Sequence, residues 1–269
     1  MNRRDFVQQS AAAGAAIAAL PRFGASGQAD WQAWRVNGER VNAHLAALSA
    51  YGMNPEGGVS RMGFSDADVQ GRGYVIDLMR AAGLDARIDQ AGNILGTRPA
   101  TVRGLAKPIL FGSHIDSVPH GGNYDGDVGS LSAIEVAQFL MEKGYKNRHP
   151  LMVTVWCDEE SGLTGSRGFL GDITPAELAA PGRDGVSLAD KIRKIGGDPE
   201  HIALAKHEAG SIAAYVELHI EQGGVLEQKG LHIGIVEGIV GINHYDCVIA
   251  GFANHAGTTP MDQRQNALL

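Results

Sequence analysis

The chain has 269 residues, with 30 Asp and Glu against 23 Lys and Arg and a formal net charge of −7. That balance, with no lysine run or basic patch, excludes the usual electrostatic footprint of a nucleic-acid binder. The two cysteines, Cys157 and Cys247, sit in apolar β-like runs without metal-motif spacing, so buried unpaired thiols are expected rather than a disulfide framework.

In chain order, Arg3-Arg4 precedes a small-residue apolar segment at 11–20. Paired arginines there read as a twin-arginine export signal over residues 1–29, with cleavage within 24–30 and a periplasmic or secreted address. The apolar run is too short to span a bilayer in the mature protein. Residues 31–51 have a helical pattern and 54–63 form a glycine-containing loop. Ser65 and Asp68 make a capping-box signature for a helix to about Ala82, with Gly83 as its stop. Short strands are expected at 84–89 and 93–96.

The stretch 109–129, ILFGSHIDSVPHGGNYDGDVG, organises the rest. Ile109, Leu110 and Phe111 read as a buried strand that delivers His114 and Asp116 at its end. Residues at alternate positions of a strand share a face, so one can bind metal while the other accepts the second ring N–H. A glycine-rich loop then presents Asp125. Gly121 and Gly122 serve a tight turn; no Gly-Lys-Ser/Thr follows, so this is not a phosphate loop. Leu131, Ile134, Ala137 and Met141 recur at helical spacing, with Gly144 as the stop.

Residues 151–157 form a continuous apolar run, as a strand covered on both faces requires. The run ends in Asp158-Glu159-Glu160, at the sheet edge where open α/β folds bind ligands. Helices are expected at 174–180 and 188–195, around a turn at 181–185. Strands are expected at 213–221, ending near His219, and at 231–236 and 238–250. A polar loop at 251–263 then leads into a helix at about Met261. Alternating strands and helices argue an α/β sandwich. The sequence stops at 265–269 inside an apparent helix, which reads as truncation.

Three strand ends therefore carry imidazoles and carboxylates, enough for two divalent ions sharing a carboxylate. Side chains of the adjacent Glu159 and Glu160 diverge, so one can bind metal while the other takes a proton from water. His44, His120, His149, His201, His207, His232 and His244 have no partner motif and read as surface or satisfied core residues.

Four segments resemble one family: GSHIDSVPHGGNYDG at 112–126, DEESGLTGS at 158–166, ELHIEQGGVLE at 217–227 and GFANHAGTTPMDQR at 251–264. They are similar to the N-carbamoyl-L-amino-acid hydrolases and allantoate amidohydrolases, within the aminoacylase-like dinuclear metallohydrolases. The resemblance covers about 31–269. It implies a three-layer α/β sandwich with a mixed β-sheet as catalytic domain over 30–238, incomplete at its C-terminal part. The start of a smaller α+β lid or dimerisation domain would occupy 239–269.

By motif, the resemblance implies His114, Asp125, Glu160 and His219 as metal ligands, with Asp125 bridging. Glu159 is then the general base and Asp116 the orienter of His114. Gln222 contacts substrate, and His255 polarises the scissile carbonyl, supplied across a homodimer. Two divalent ions per subunit are implied, zinc or manganese, with cobalt or nickel as further options. The implied reaction is hydrolysis of a carbamoyl or ureido C–N bond in a small N-carbamoyl amino acid. Allantoate or another ureido acid, an N-acyl amino acid, or a truncated non-catalytic relative are the alternatives. The family's last metal-binding histidine and its lid asparagine and arginine do not lie within the 269 residues.

Overall fold

The computed structural model describes residues 33–241, 243, 245–265 and 267. The expected export signal at 1–29 lies outside them. Contacts divide the chain into one unit ending at Gln222 and a second starting at Gly223.

In the first unit, helix α1 (Gly38–Ser49) starts at Asn37, whose side chain accepts from the Arg40 amide. Helix α2 (Asp66–Ala81) starts at Ser65, whose hydroxyl accepts from the Asp68 amide; serine and asparagine serve here because each offers an oxygen to an orphan helix N–H. Strands β1 (Asp85–Ile88), β2 (Ile94–Arg98) and β3 (Ile109–His114) follow, then helix α3 (Asp127–Glu142) and strand β4 (Leu151–Trp156). Next come the short helices α4 (Thr164–Leu170), α5 (Pro175–Ala179) and α6 (Leu188–Lys194), a 3-10 segment Pro199–Ala205, and strand β5 (Ala214–Val216).

The five strands form one mixed sheet in the order β1-β2-β4-β3-β5. The pairs β1–β2 and β2–β4 are antiparallel, while β3 runs parallel to both β4 and β5. Alternation along β4 explains its unbroken apolar run. Val153 and Val155 pack with Leu48, Val75, Met79 and Ile134 of the three long helices. Met152 and Trp156 pack on the opposite face with Leu110 and Phe169. Helices thus cover both faces, the three-layer α/β sandwich expected, and the parallel β3–β4 pair brings His114 level with Trp156 at one sheet edge.

Asp68 carries a pH consequence. Its buried carboxylate accepts from the Phe64 amide at 2.9 Å, and burial pushes the carboxyl up to about 6. The folded protein then holds the proton more tightly than the unfolded chain, so this group's contribution to stability falls as the pH rises from about 4 to 6. Asp68→Asn keeps an acceptor for Phe64 without the charge. Urea melts should show wild type losing up to about 3 kcal/mol relative to the variant across that window, and no further loss above it.

Several sequence expectations are corrected. Strand β5 is confined to Ala214–Val216 instead of 213–221, because its ladder with β3 stops at Phe111 and Val216. Among the described residues, 231–236 and 238–250 contain no strand. Their apolar side chains are solvent-facing, with Ile235 at 90 % and Ile239 and Val248 at 93 % exposure, and without a partner ladder β propensity alone does not make a strand. Cys247 is therefore exposed, whereas Cys157 is buried, and both are free. The helix expected at Met261 is a single 3-10 turn, Met261–Gln263. The second unit also holds α7 (Val225–Gln228). No described helix is long and apolar enough to cross a membrane.

Candidate metal centre

His114 is the last residue of β3 and is almost fully buried. Its Nδ1 lies 3.0 Å from the Asp116 carbonyl. A carbonyl only accepts, so in the neutral ring Nδ1 carries the proton and Nε2 keeps its lone pair. His219, three residues beyond β5, repeats the arrangement with its Nδ1 2.9 Å from the Ile220 carbonyl. The two rings stack at 5.8 Å between centroids, 29° apart.

Asp125 arrives on the loop between β3 and α3. Gly126 follows in the left-handed region at φ 66°, and a Cβ there would sit 2.4 Å from the His114 ring, so glycine lets the loop close over the imidazole. Asp125 Oδ2 accepts from Gln222 Nε2 at 2.9 Å. Its Oδ1 is buried without a hydrogen-bond partner and lies 3.2 Å from His219 Nε2. His114, Asp125 and His219 each place one ligand atom within 4.8 Å of the others. An orphaned carboxylate oxygen between two imidazoles with fixed tautomers fits a divalent cation.

The acidic turn after β4 stands beside this group. Asp158 adopts φ 53°, and its carboxylate accepts from the Thr164 hydroxyl at 2.6 Å. Glu159 Oε2 lies 3.6 Å from His114 Nε2. Burial chiefly, with the charges of Asp116 and Glu217, raises the Glu159 carboxyl above its ordinary value against the pull of His114. Glu160 is raised by burial first and then by Asp125. The Glu160 carboxylate is not a member of the three-residue group that converges in this structure.

Asp116 meets His114 differently from the sequence expectation. Its carbonyl takes the ring N–H, while Oδ1 is 3.7 Å away. The carboxylate instead accepts from the amides of Glu159 and Glu160 at 3.2 and 3.1 Å. The irregular segment after β3 thus places the Asp116 carbonyl at the ring nitrogen and leaves its carboxylate to hold the amides of the acidic turn.

His255 belongs to the second unit, where its Nδ1 accepts from the amides of Gly257 and Thr258 at 3.1 and 3.2 Å. Its Nε2 therefore carries the proton. Other histidines have ordinary partners: His44 meets the Tyr74 hydroxyl, His120 pairs with Glu56 and His201 with Asp198, while His244 lies outside the described residues. Sequence reasoning assigned nothing to Glu217 or Arg61, which turn out to hold segments of the centre together. Glu217 falls inside a quoted motif, but nothing in the sequence around Arg61 marks it.

The family model for peptidase family M28 matches residues 93–181, which span β2 to α5. An N-carbamoyl-L-amino acid amidohydrolase from Geobacillus stearothermophilus is 41 % identical over 238 residues, covering 87 % of this chain and 58 % of that protein. This chain is homologous to the hydantoinase/carbamoylase amidohydrolases. An allantoate amidohydrolase from Escherichia coli is 33 % identical, with 86 % of this chain and 57 % of that protein covered. The crystal structure of a hydantoinase/carbamoylase family amidase from Burkholderia phymatum superposes with a TM-score of 0.68 at 34 % identity, covering 87 % of this chain and 57 % of that one. The chain thus spans less than two thirds of the length of these relatives.

Proposed function

We propose that this chain carries the metal-binding part of a hydrolase that cleaves a carbamoyl or ureido C–N bond. The preferred substrate is an N-carbamoyl-L-amino acid, with the amino acid, CO₂ and ammonia as products. The observation that carries this reading is the convergence of His114 Nε2, Asp125 and His219 beside the Glu159 carboxylate. His114, Asp125 and His219 would hold divalent cation, with Glu160 completing the shells of a two-ion site. Zinc or manganese suits this donor set, and cobalt or nickel is compatible with it. A divalent ion there supplies Lewis-acid polarisation of the scissile carbonyl and makes water more acidic.

Glu159 accepts the proton of the attacking water and delivers it to the leaving nitrogen, a role its raised basicity suits. His255, with its proton on Nε2, donates to the oxygen that gains negative charge, an interaction worth about 3–4 kcal/mol per donor in such sites. Gln222, now bonded to Asp125, offers its amide to the substrate. Supply of His255 across a homodimer, and export through the Arg3-Arg4 signal to the periplasm, belong to the same proposal.

Allantoate is the second reading, favoured by the Escherichia coli relative. Assaying the metal-loaded protein side by side on N-carbamoyl amino acids, allantoate and N-acetyl amino acids tests both. Preferential release of an amino acid from the N-carbamoyl compound supports the first. Preference for allantoate or for the acetyl compound overturns it. A protein that binds metal and turns over none of them is a non-catalytic relative.

A further inference from the structure

The β3–β5 ladder ends at Phe111 and Val216, before it reaches either histidine of the centre. Past that point two side chains join β5 and the segment leaving it to β3: the Tyr215 hydroxyl lies 3.4 Å from the Gly112 carbonyl, and Glu217 reaches Ser113. Ser113, fully buried and directly before His114, donates its hydroxyl to Glu217 Oε1 at 2.5 Å. The Tyr215 hydroxyl donates to Glu217 Oε2 at 2.6 Å and accepts from Trp156 Nε1 at 2.9 Å. This line of hydrogen bonds runs from the end of β4 through β5 to the end of β3. Glu217 is the one member that accepts at both ends, as an ionised carboxylate can. The adjacent Leu218 carbonyl approaches α3 so closely that a Cβ on Gly129 would lie 2.2 Å from it.

We propose that Glu217 is a positioning residue for His219. The carboxylate latches the segment leaving β5 onto Ser113 and so sets His219 against Asp125 and His114. This rests on the metal-centre reading above. Glutamine at this position keeps the shape but turns one acceptor into an N–H donor facing a hydroxyl that already donates. Glu217 is exposed, so the substitution leaves the core untouched.

The test is calorimetric Zn²⁺ titration of wild type, Glu217→Gln, His219→Ala and the double variant, with a thermal melt of each. Glu217→Gln should weaken Zn²⁺ binding about tenfold, as loss of a partner behind a ligand typically does, with little change in melting temperature. In the His219→Ala background it should cost nothing further, because its effect passes through that ring. Tyr215→Phe removes one of the two donors and should give a smaller loss in the same direction. Wild-type affinity in Glu217→Gln, or an undiminished loss added to that of His219→Ala, overturns the latch while leaving the metal centre intact. Absence of Zn²⁺ binding by wild type overturns the centre itself, and the latch with it.

Discussion

Asp127→Ala should destabilise the protein by about 3–5 kcal/mol, the cost of leaving a buried charge without its partner. Arg61 is fully buried and every N–H of its guanidinium is used. Nε donates to the Ile115 carbonyl at 2.7 Å, and one terminal nitrogen to the carbonyls of Leu48 and Tyr51 at 3.0 and 2.8 Å. The other reaches both oxygens of Asp127 at 2.8 and 2.6 Å. Asp127 opens α3 just after Asp125, and Ile115 follows His114, so this one side chain clamps together the segments bearing two ligands. Arg61→Met should be as damaging, because it also orphans three carbonyls. Urea denaturation measures both variants; a loss below about 1 kcal/mol for Asp127→Ala would mean the pair is not formed in solution.

Glu159→Gln should reduce turnover of the preferred N-carbamoyl amino acid by about 10²–10⁴, the usual worth of a positioned general base. The amide is isosteric but cannot take the proton from water. Because Glu159 stands outside the converging group of His114, Asp125 and His219, bound metal should be unchanged. The glutamine variant should therefore hold wild-type zinc and remain inactive. Near wild-type turnover would remove Glu159 from the role of base, and a parallel loss of metal would make it a ligand.

Much of the first unit was legible because its signals are local. Ser65 marks the start of α2 through a hydroxyl that any reader of caps would choose, and the unbroken run of β4 follows from burial on both faces. Helix α4 was not legible. Gly165 and Gly168 weaken its helical signal, yet a Cβ on Gly165 would lie 2.0 Å from Asn93 Oδ1 and one on Gly168 2.3 Å from Ala91 Cβ. Packing against the loop before β2 demands glycine there and overrides propensity. The apolar runs at 231–236 and 238–250 misled for the opposite reason, since alternation records suitability for a sheet and cannot supply the neighbouring strand.

The site divides in the same way. Residue types and strand-end placement pointed to His114, Asp125 and His219, whose convergence the fold provides. The division of labour within Asp116, between carbonyl and carboxylate, depends on the path of the irregular segment after β3 and has no counterpart in residue identity. Arg61 and Glu217 act across long sequence separations, through partners that only the folded chain brings near.

The most direct test of the centre is zinc content after equilibrium dialysis and removal of free metal, measured by elemental analysis on wild type and Asp125→Ala. Asp125 offers the orphaned oxygen between the two imidazoles. The structure predicts zinc retained by wild type and largely lost from the variant, with both proteins folded. Equal zinc in the two, or none in either, would contradict it.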